Sequence, residues 1–252
     1  MVKLSAVIIT YNEEKKIERC LSSLAGVADE IVIVDSFSTD RTEDICKQFD
    51  VVFISQKFLG YIEQKNFAIT QATHDHIISL DGDEALSSEL QNSLIELKSN
   101  WQHDGYYMNR YNNFCGQWIK YSDWYPDRKL RAFVKGKGSW KGINPHDSFK
   151  LTNPKASSKL QGDILHWNYA TYQEFNLKTD KFSTISARSY YELGKKAPIW
   201  KIIVNPSWAF FKSYFLRFGF LDGFNGFMIC IQTANITFLK YTKLRELIRE
   251  KN

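Results

Sequence analysis

Cysteine is scarce in this 252-residue chain, and Cys20, Cys46, Cys115 and Cys230 lie far apart with no CxxC pair. That excludes a zinc ribbon, a thioredoxin-type redox site and a dense disulfide framework, and fits a reducing, cytosolic compartment. Long hydrophobic runs are also missing at the N-terminus. The apolar stretch Leu4 to Thr10 runs straight into Tyr11, Asn12, Glu13 and Glu14 instead of a small-residue cleavage site, so it reads as a strand and not as a signal peptide. No internal repeat or low-complexity tract is visible. With 44% hydrophobic and 24% charged residues, the composition excludes disorder and collagen-like structure. A net charge of +5 is too modest for a dedicated nucleic-acid binder, and none is expected as a partner.

The charge is unevenly placed. From Lys195 onward ten basic residues face three acidic ones, so this tail carries +7 and the rest of the chain −2. Twelve aromatics lie between Trp200 and Tyr241 in the same tail. The composition therefore divides the chain into residues 1–194 and a basic, aromatic-rich extension, 195–252. Helices are expected over Ser207–Phe220 and Gly226–Arg249, but polar interruptions make a clean membrane span marginal. Interleaved rings and cations suit a helix lying in the interface of an anionic membrane. Packing against the rest of the chain, or an oligomer contact, is the alternative.

Short β-branched runs at Val7–Ile9, Ile31–Val34, Val51–Ile54 and Ile77–Leu80 have the pattern of core strands buried on both faces. Helical spacing in Lys15–Ala25, Thr42–Phe49 and Ile62–Ala72 alternates with them, and Ser87–Leu97 continues with a Leu90, Leu94, Leu97 stripe. The result is an α/β class with a mainly parallel, Rossmann-like sheet whose ligands sit at the carboxyl ends of the strands. Later strands are expected at Tyr106–Tyr111 and Leu130–Val134, an irregular surface segment over Pro126–Asp147, and a long helix over Tyr172–Leu193.

Asp81, Gly82 and Asp83 follow the fourth strand directly. Alternation puts the two carboxylates on one side, and the glycine allows close backbone approach. Such a pair suits Mg²⁺ or Mn²⁺, which keep waters and take phosphate oxygens; a turn and helix-cap cluster is the other reading. Asp35 ends the second strand, where it serves either a ribose or base, or the cap of the next helix. No glycine-rich phosphate loop follows the first strand, which argues against a sugar nucleotidyltransferase.

In combination these segments resemble the family 2 glycosyltransferases, which transfer sugars from nucleotide-diphosphate donors and have the GT-A fold. The resemblance rests on Ala6-Val-Ile-Ile-Thr-Tyr-Asn-Glu-Glu14, Ile33-Val-Asp-Ser-Phe-Ser-Thr-Asp40, Gln64-Lys-Asn-Phe-Ala68 and Leu80-Asp-Gly-Asp-Glu84, in family order. It continues through Trp124-Tyr-Pro-Asp-Arg-Lys-Leu-Arg131, Gly136-Lys-Gly-Ser-Trp140, Pro145-His-Asp147 and Leu165-His-Trp167, and is strongest with the branch that builds lipopolysaccharide cores and related surface glycans.

The resemblance implies an inverting, metal-dependent transfer of a hexose from a UDP-sugar to a lipid-linked or lipopolysaccharide-core glycan, at the inner face of a bacterial membrane. It assigns Thr10, Tyr11, Glu13, Asp35, Lys65, Asp81, Gly82 and Asp83 to the nucleotide sugar. Asp83, Asp81 and His166 go to a divalent metal, and Asp147 is the base that deprotonates the acceptor. Arg128, Arg131, Trp140 and His146 are left as phosphate or acceptor candidates, with Trp118 and Trp124 as further aromatic platforms. Each has a plainer reading: a solvated helical Lys65, a packed His166, a turn aspartate at 147, arginines on an exposed strand face. A non-catalytic membrane-bound scaffold with the same fold is the functional alternative.

Overall fold

The computed structural model describes residues 1–143 and 146–250, without the side chains of residues 143 and 146. The chain forms two compact units, Met1–Arg110 with Asp127–Trp167, and Tyr111–Pro126 with Asn168–Asn252.

The first unit opens with β1 (Leu4–Thr10), α1 (Ile17–Leu24), β2 (Glu30–Asp35), α2 (Thr42–Cys46), β3 (Val52–Ser55), α3 (Tyr61–Gln71) and β4 (His76–Asp81). These strands pair in parallel in the order β3-β2-β1-β4. Period-two alternation divides their apolar side chains between two cores. Leu4, Ala6, Ile8, Ile78 and Leu80 pack with Ile17 and Leu21 of α1. Val7, Ile9, Val32, Val34 and Ile77 pack with Ala68 and Ile69 of α3. β3 departs from the expected double burial: it is the edge strand, and Val52 is exposed.

The sheet then turns antiparallel. After β5 (Glu84–Leu86) and α4 (Ser88–Ser99), β6 (Gly105–Phe114) pairs with β8 (Asp127–Val134), and β8 pairs with β4. β11 (Ser157–Tyr169) runs antiparallel to β5. Ser87 caps α4 by accepting a hydrogen bond from the Leu90 N–H. The segment expected to be irregular instead contains β8 and a hairpin of β9 (Gly138–Ile143) and β10 (His146–Leu151). Its glycines hide the pattern, but Trp140 and Phe149 supply the apolar anchors that bury it.

In the second unit β7 (Gln117–Trp118) pairs with the end of β6. It is followed by α5 (Tyr172–Glu192), α6 (Ile199–Phe211) and α7 (Gly223–Glu250). Residue 194, where the composition changes, follows α5. The helix expected over Ser207–Phe220 starts earlier, after Pro198, and gives way to a π-helical turn at Lys212–Leu216 and a 3-10 turn at Gly219–Asp222. Phe218 adopts a left-handed φ of 54°, which breaks the helical path. A side chain on Gly226 would sit 2.0 Å from the Gly219 carbonyl oxygen, so only glycine lets α7 close on that turn. Among the described residues no helix is long and apolar enough to cross a membrane.

Candidate active site

All the residues of this site that the structure describes belong to the first unit. The parallel register sets Ile9 opposite Asp81, which brings the end of β1 against the turn after β4. Gly82 donates its N–H to the Ile9 carbonyl at 3.0 Å, and a Cβ there would meet Thr10 Oγ1 at 2.9 Å and Glu13 Cγ at 3.3 Å. Thr10 is buried, and its hydroxyl has no hydrogen-bond partner among the described residues. Tyr11 is exposed.

The loops after β1 and β2 are stitched together. Asn12 N–H donates to Ser38 Oγ, Thr39 N–H to Asn12 Oδ1 and Glu13 N–H to Thr42 Oγ1, each at 2.8 Å. Asp35 is buried and accepts from both the N–H and the hydroxyl of Ser38, so its carboxylate fixes this loop. The cap reading of Asp35 does not hold: α2 starts at Thr42, whose N–H goes to Asp40 Oδ1 at 3.0 Å, and Asp35 instead orders the loop before it.

Lys65 is not a solvated helical lysine. It is buried, with Nζ 2.9 Å from Asp147 Oδ2 and 3.3 Å from Asp81 Oδ2, and 4.4 Å from the centre of the Trp140 ring. Asp81 Oδ1 is 3.1 Å from the same nitrogen but out of hydrogen-bonding alignment. The neighbours of Lys65 in sequence hold the walls in place: Asn66 exchanges two hydrogen bonds with the backbone of Trp140, at 2.9 and 3.1 Å, and Gln64 donates to Ser36 Oγ at 3.2 Å.

Arg131 is buried too, donating from Nη2 to Asp81 Oδ2 at 3.1 Å and to Glu84 Oε1 at 3.0 Å. Its charge thus serves internal carboxylates. Arg128 is exposed on β8. Trp140, read as a stacking platform, is 4% exposed and acts as the wall beside Lys65 and Arg131, because β10 lays Phe149 against it. Trp118 contacts Tyr111, and Trp124 packs with Phe114, Tyr169 and Phe175 in the second unit. The side chain of His146 lies outside the described residues.

Asp83 faces His166, with Oδ2 3.4 Å from Nε2, and Lys16 Nζ lies 3.9 Å away. Pairing of β11 with β5 aligns His166 with Glu84 and makes this approach possible. Burial alone would raise the pKa of both aspartates, but their polar neighbours reverse it. Lys65 and Arg131 hold Asp81 well below the ordinary carboxylate range, and His166 and Lys16 bring Asp83 down to about 2.

Glu84 is the residue that motif reading passed over. It is fully buried, accepts the Asp81 N–H on Oε2 at 3.0 Å, and holds Arg131 and Arg110 on Oε1. It therefore braces the Asp81–Asp83 turn from behind. Its place as the fourth residue of Asp-Gly-Asp-Glu was the available signal.

No three carboxylate, imidazole or thiolate groups converge as a ready-made metal cage among the described residues. Asp83 and His166 do offer adjacent oxygen and nitrogen donors, while Asp81 already serves Lys65 and Arg131. Two protein donors fit a hard cation that takes its remaining ligands from water and phosphate.

The architecture is the GT-A fold of nucleotide-sugar transferases. Two solved structures share it: the Pyrobaculum calidifontis mannosyltransferase PcManGT in complex with GDP-Man and Mn²⁺, at TM-score 0.57 and 13% identity, covering 100% of this chain and 88% of that one, and S. aureus TarS 1-349 in complex with UDP, at TM-score 0.51 and 14% identity, covering 99% and 92%. The family model for glycosyl transferase family 2 matches residues 5–160, and the chain belongs to that family. It is 30% identical to the lipopolysaccharide core biosynthesis glycosyltransferase LpsC of Rhizobium meliloti over 96% of this chain and 91% of LpsC. An uncharacterized glycosyltransferase of Rickettsia bellii is 31% identical over 99% of this chain and 88% of its own length.

Proposed function

We propose that this glycosyltransferase moves a hexose, with inversion, from a UDP-sugar to a hydroxyl of a lipid-linked or lipopolysaccharide-core glycan at the cytoplasmic face of a membrane. The observation that carries the proposal is the meeting of Asp81 and Asp147 on Lys65, with Asp83 beside His166 and Lys16 in the same turn after β4. Similarity to LpsC supports the acceptor class, and the TarS complex with UDP supports the donor class.

In this reading the nucleotide rests on the loops after β1 and β2, near Thr10, Tyr11, Glu13 and Asp35. Asp147 accepts the proton of the attacking hydroxyl as the new bond to the anomeric carbon forms and the bond to the diphosphate oxygen breaks. Lys65 holds the Asp147 carboxylate in place, at 2.9 Å. Asp83 and His166 would hold a Mg²⁺ or Mn²⁺ ion, which would offset the negative charge developing on the departing diphosphate. Lys16, beside Asp83, adds a fixed cation at the same pole.

The test is a screen of nucleotide sugars for slow hydrolysis by the purified chain, with and without a chelator. One UDP-sugar hydrolysed only in the presence of the divalent metal is the expected result. No hydrolysis of any nucleotide sugar, together with no affinity for UDP, contradicts it.

A further inference from the structure

We propose that the outer stripe of α6, continued by the turns up to the start of α7, is a monotopic membrane-binding face that docks on an anionic bilayer. This deepens the reading of a lipid-linked acceptor and rests on it for its purpose; the surface itself stands on exposure and charge. Helix α6 has no buried residue. Trp200, Val204, Trp208 and Phe211 follow one another at spacings of four, four and three, which places them on one helix face, and Ile203 lies beside them. Their exposures run from 45% at Phe211 to 63% at Ile203.

The helix is held on the side of the half-buried Ile202, Pro206 and Ala209, with Phe210 at its margin. Phe210 and Tyr214 make edge contacts with Phe227 of α7, at 6.2 and 5.9 Å between ring centres. Phe215, whose ring lies 5.2 Å from that of Phe211, continues the stripe, and Phe218, Leu221 and Phe224 in the following turns are exposed as well, the four at 48% to 67%. Exposed apolar side chains concentrated on one helix face, with ring contacts from Trp208 to Phe211 to Phe215, mark an interaction site, since scattered single exposures would need no explanation.

Charge selects the occupant. Between Glu192 and Asp222 there are five basic residues, Lys195, Lys196, Lys201, Lys212 and Arg217, and no acidic one. Lys212 and Arg217 pair with Asp123, at 3.1 and 2.8 Å, while Lys195 and Lys196 are exposed and Lys201 sits 5.5 Å over the Trp200 ring. Rings at headgroup depth with lysines beside them match an interfacial helix on anionic lipid. A second copy is the poorer occupant: a two-fold contact sets the same patch against itself and brings these cations face to face.

The experiment is co-sedimentation of the full chain with phosphatidylcholine vesicles, with and without phosphatidylglycerol. The wild type is expected to bind the anionic vesicles at least about tenfold better than the neutral ones, with binding weakened by salt. Both I203D/W208D and K195E/K196E/K201E should lose that binding by about tenfold or more, while circular dichroism and UDP affinity measured without vesicles stay unchanged. Equal binding to neutral vesicles, wild-type binding by either variant, or a solution dimer that I203D/W208D converts to monomer would each overturn the proposal. UDP affinity is read apart from vesicles, so a failure of the donor reading is distinguishable from a failure of this face.

Discussion

Lys65 joins Asp147 to the strand edge: one buried ammonium lies 2.9 Å from Asp147 Oδ2 and 3.3 Å from Asp81 Oδ2, across 82 and 16 residues of sequence. Helix α3 thereby sets the spacing between the carboxylate proposed as base and the turn proposed to hold the donor. Replacing it by methionine keeps the stem but leaves two carboxylates without their shared cation. Removing one partner of a buried ion pair costs about 3 kcal/mol. Lys65→Met is therefore expected to lower the melting temperature and abolish transfer, read by calorimetry and by product formation; a variant with wild-type stability would mean that the contact is idle.

Gly82 ties the Asp81–Asp83 turn to β1, donating its N–H to the Ile9 carbonyl at 3.0 Å. In Gly82→Ala the new methyl meets Thr10 Oγ1 at 2.9 Å and Glu13 Cγ at 3.3 Å, so the side chains lining the cleft must shift. The expected stability cost is about 1 kcal/mol, with a larger proportional loss of UDP affinity. Titration calorimetry against a thermal melt separates the two. Wild-type affinity would show that the close approach is not part of donor binding.

Asp29 tests the frame away from the site. It accepts the Leu4 N–H and the Lys98 ammonium, both at 2.7 Å, pinning the start of β1. Burial raises its pKa, but the Lys98 and Leu4 hydrogen bonds outweigh that and the net shift is downward. A carboxylate depressed in the folded state contributes stability above its unfolded pKa and loses it as pH falls through the folded one. Asp29→Asn should therefore melt below wild type at neutral pH, with the gap closing below about pH 4. A gap that is constant with pH would remove the ion pair from the account.

The parallel strands were legible because a strand covered on both faces needs a near-continuous apolar run, as in Val7–Ile9 and in Ile77–Leu80, where only Ser79 interrupts. The turn after β4 was legible for the same reason: once β4 is placed, Asp81 and Asp83 must emerge at its carboxyl end. What the sequence concealed depends on long-range pairing. The burial of Lys65 requires β9 and β10 to return beside α3, and the glycines of that hairpin mask its alternation. His166 meets Asp83 through a three-residue strand, β5, too short to read. The brace formed by Glu84, Arg131 and Arg110 is invisible locally, because its charges lie on three separate strands.

The central claim is that Asp147 acts on the acceptor hydroxyl while the turn after β4 holds the donor. Asp147→Asn keeps the shape and removes the base, so its kcat for transfer should fall by roughly 10²- to 10⁴-fold with UDP affinity unchanged. The kcat of this variant, measured beside its Kd for UDP, is the most direct test. A variant that turns over at the wild-type rate, or that loses UDP affinity in proportion to its rate, contradicts the account.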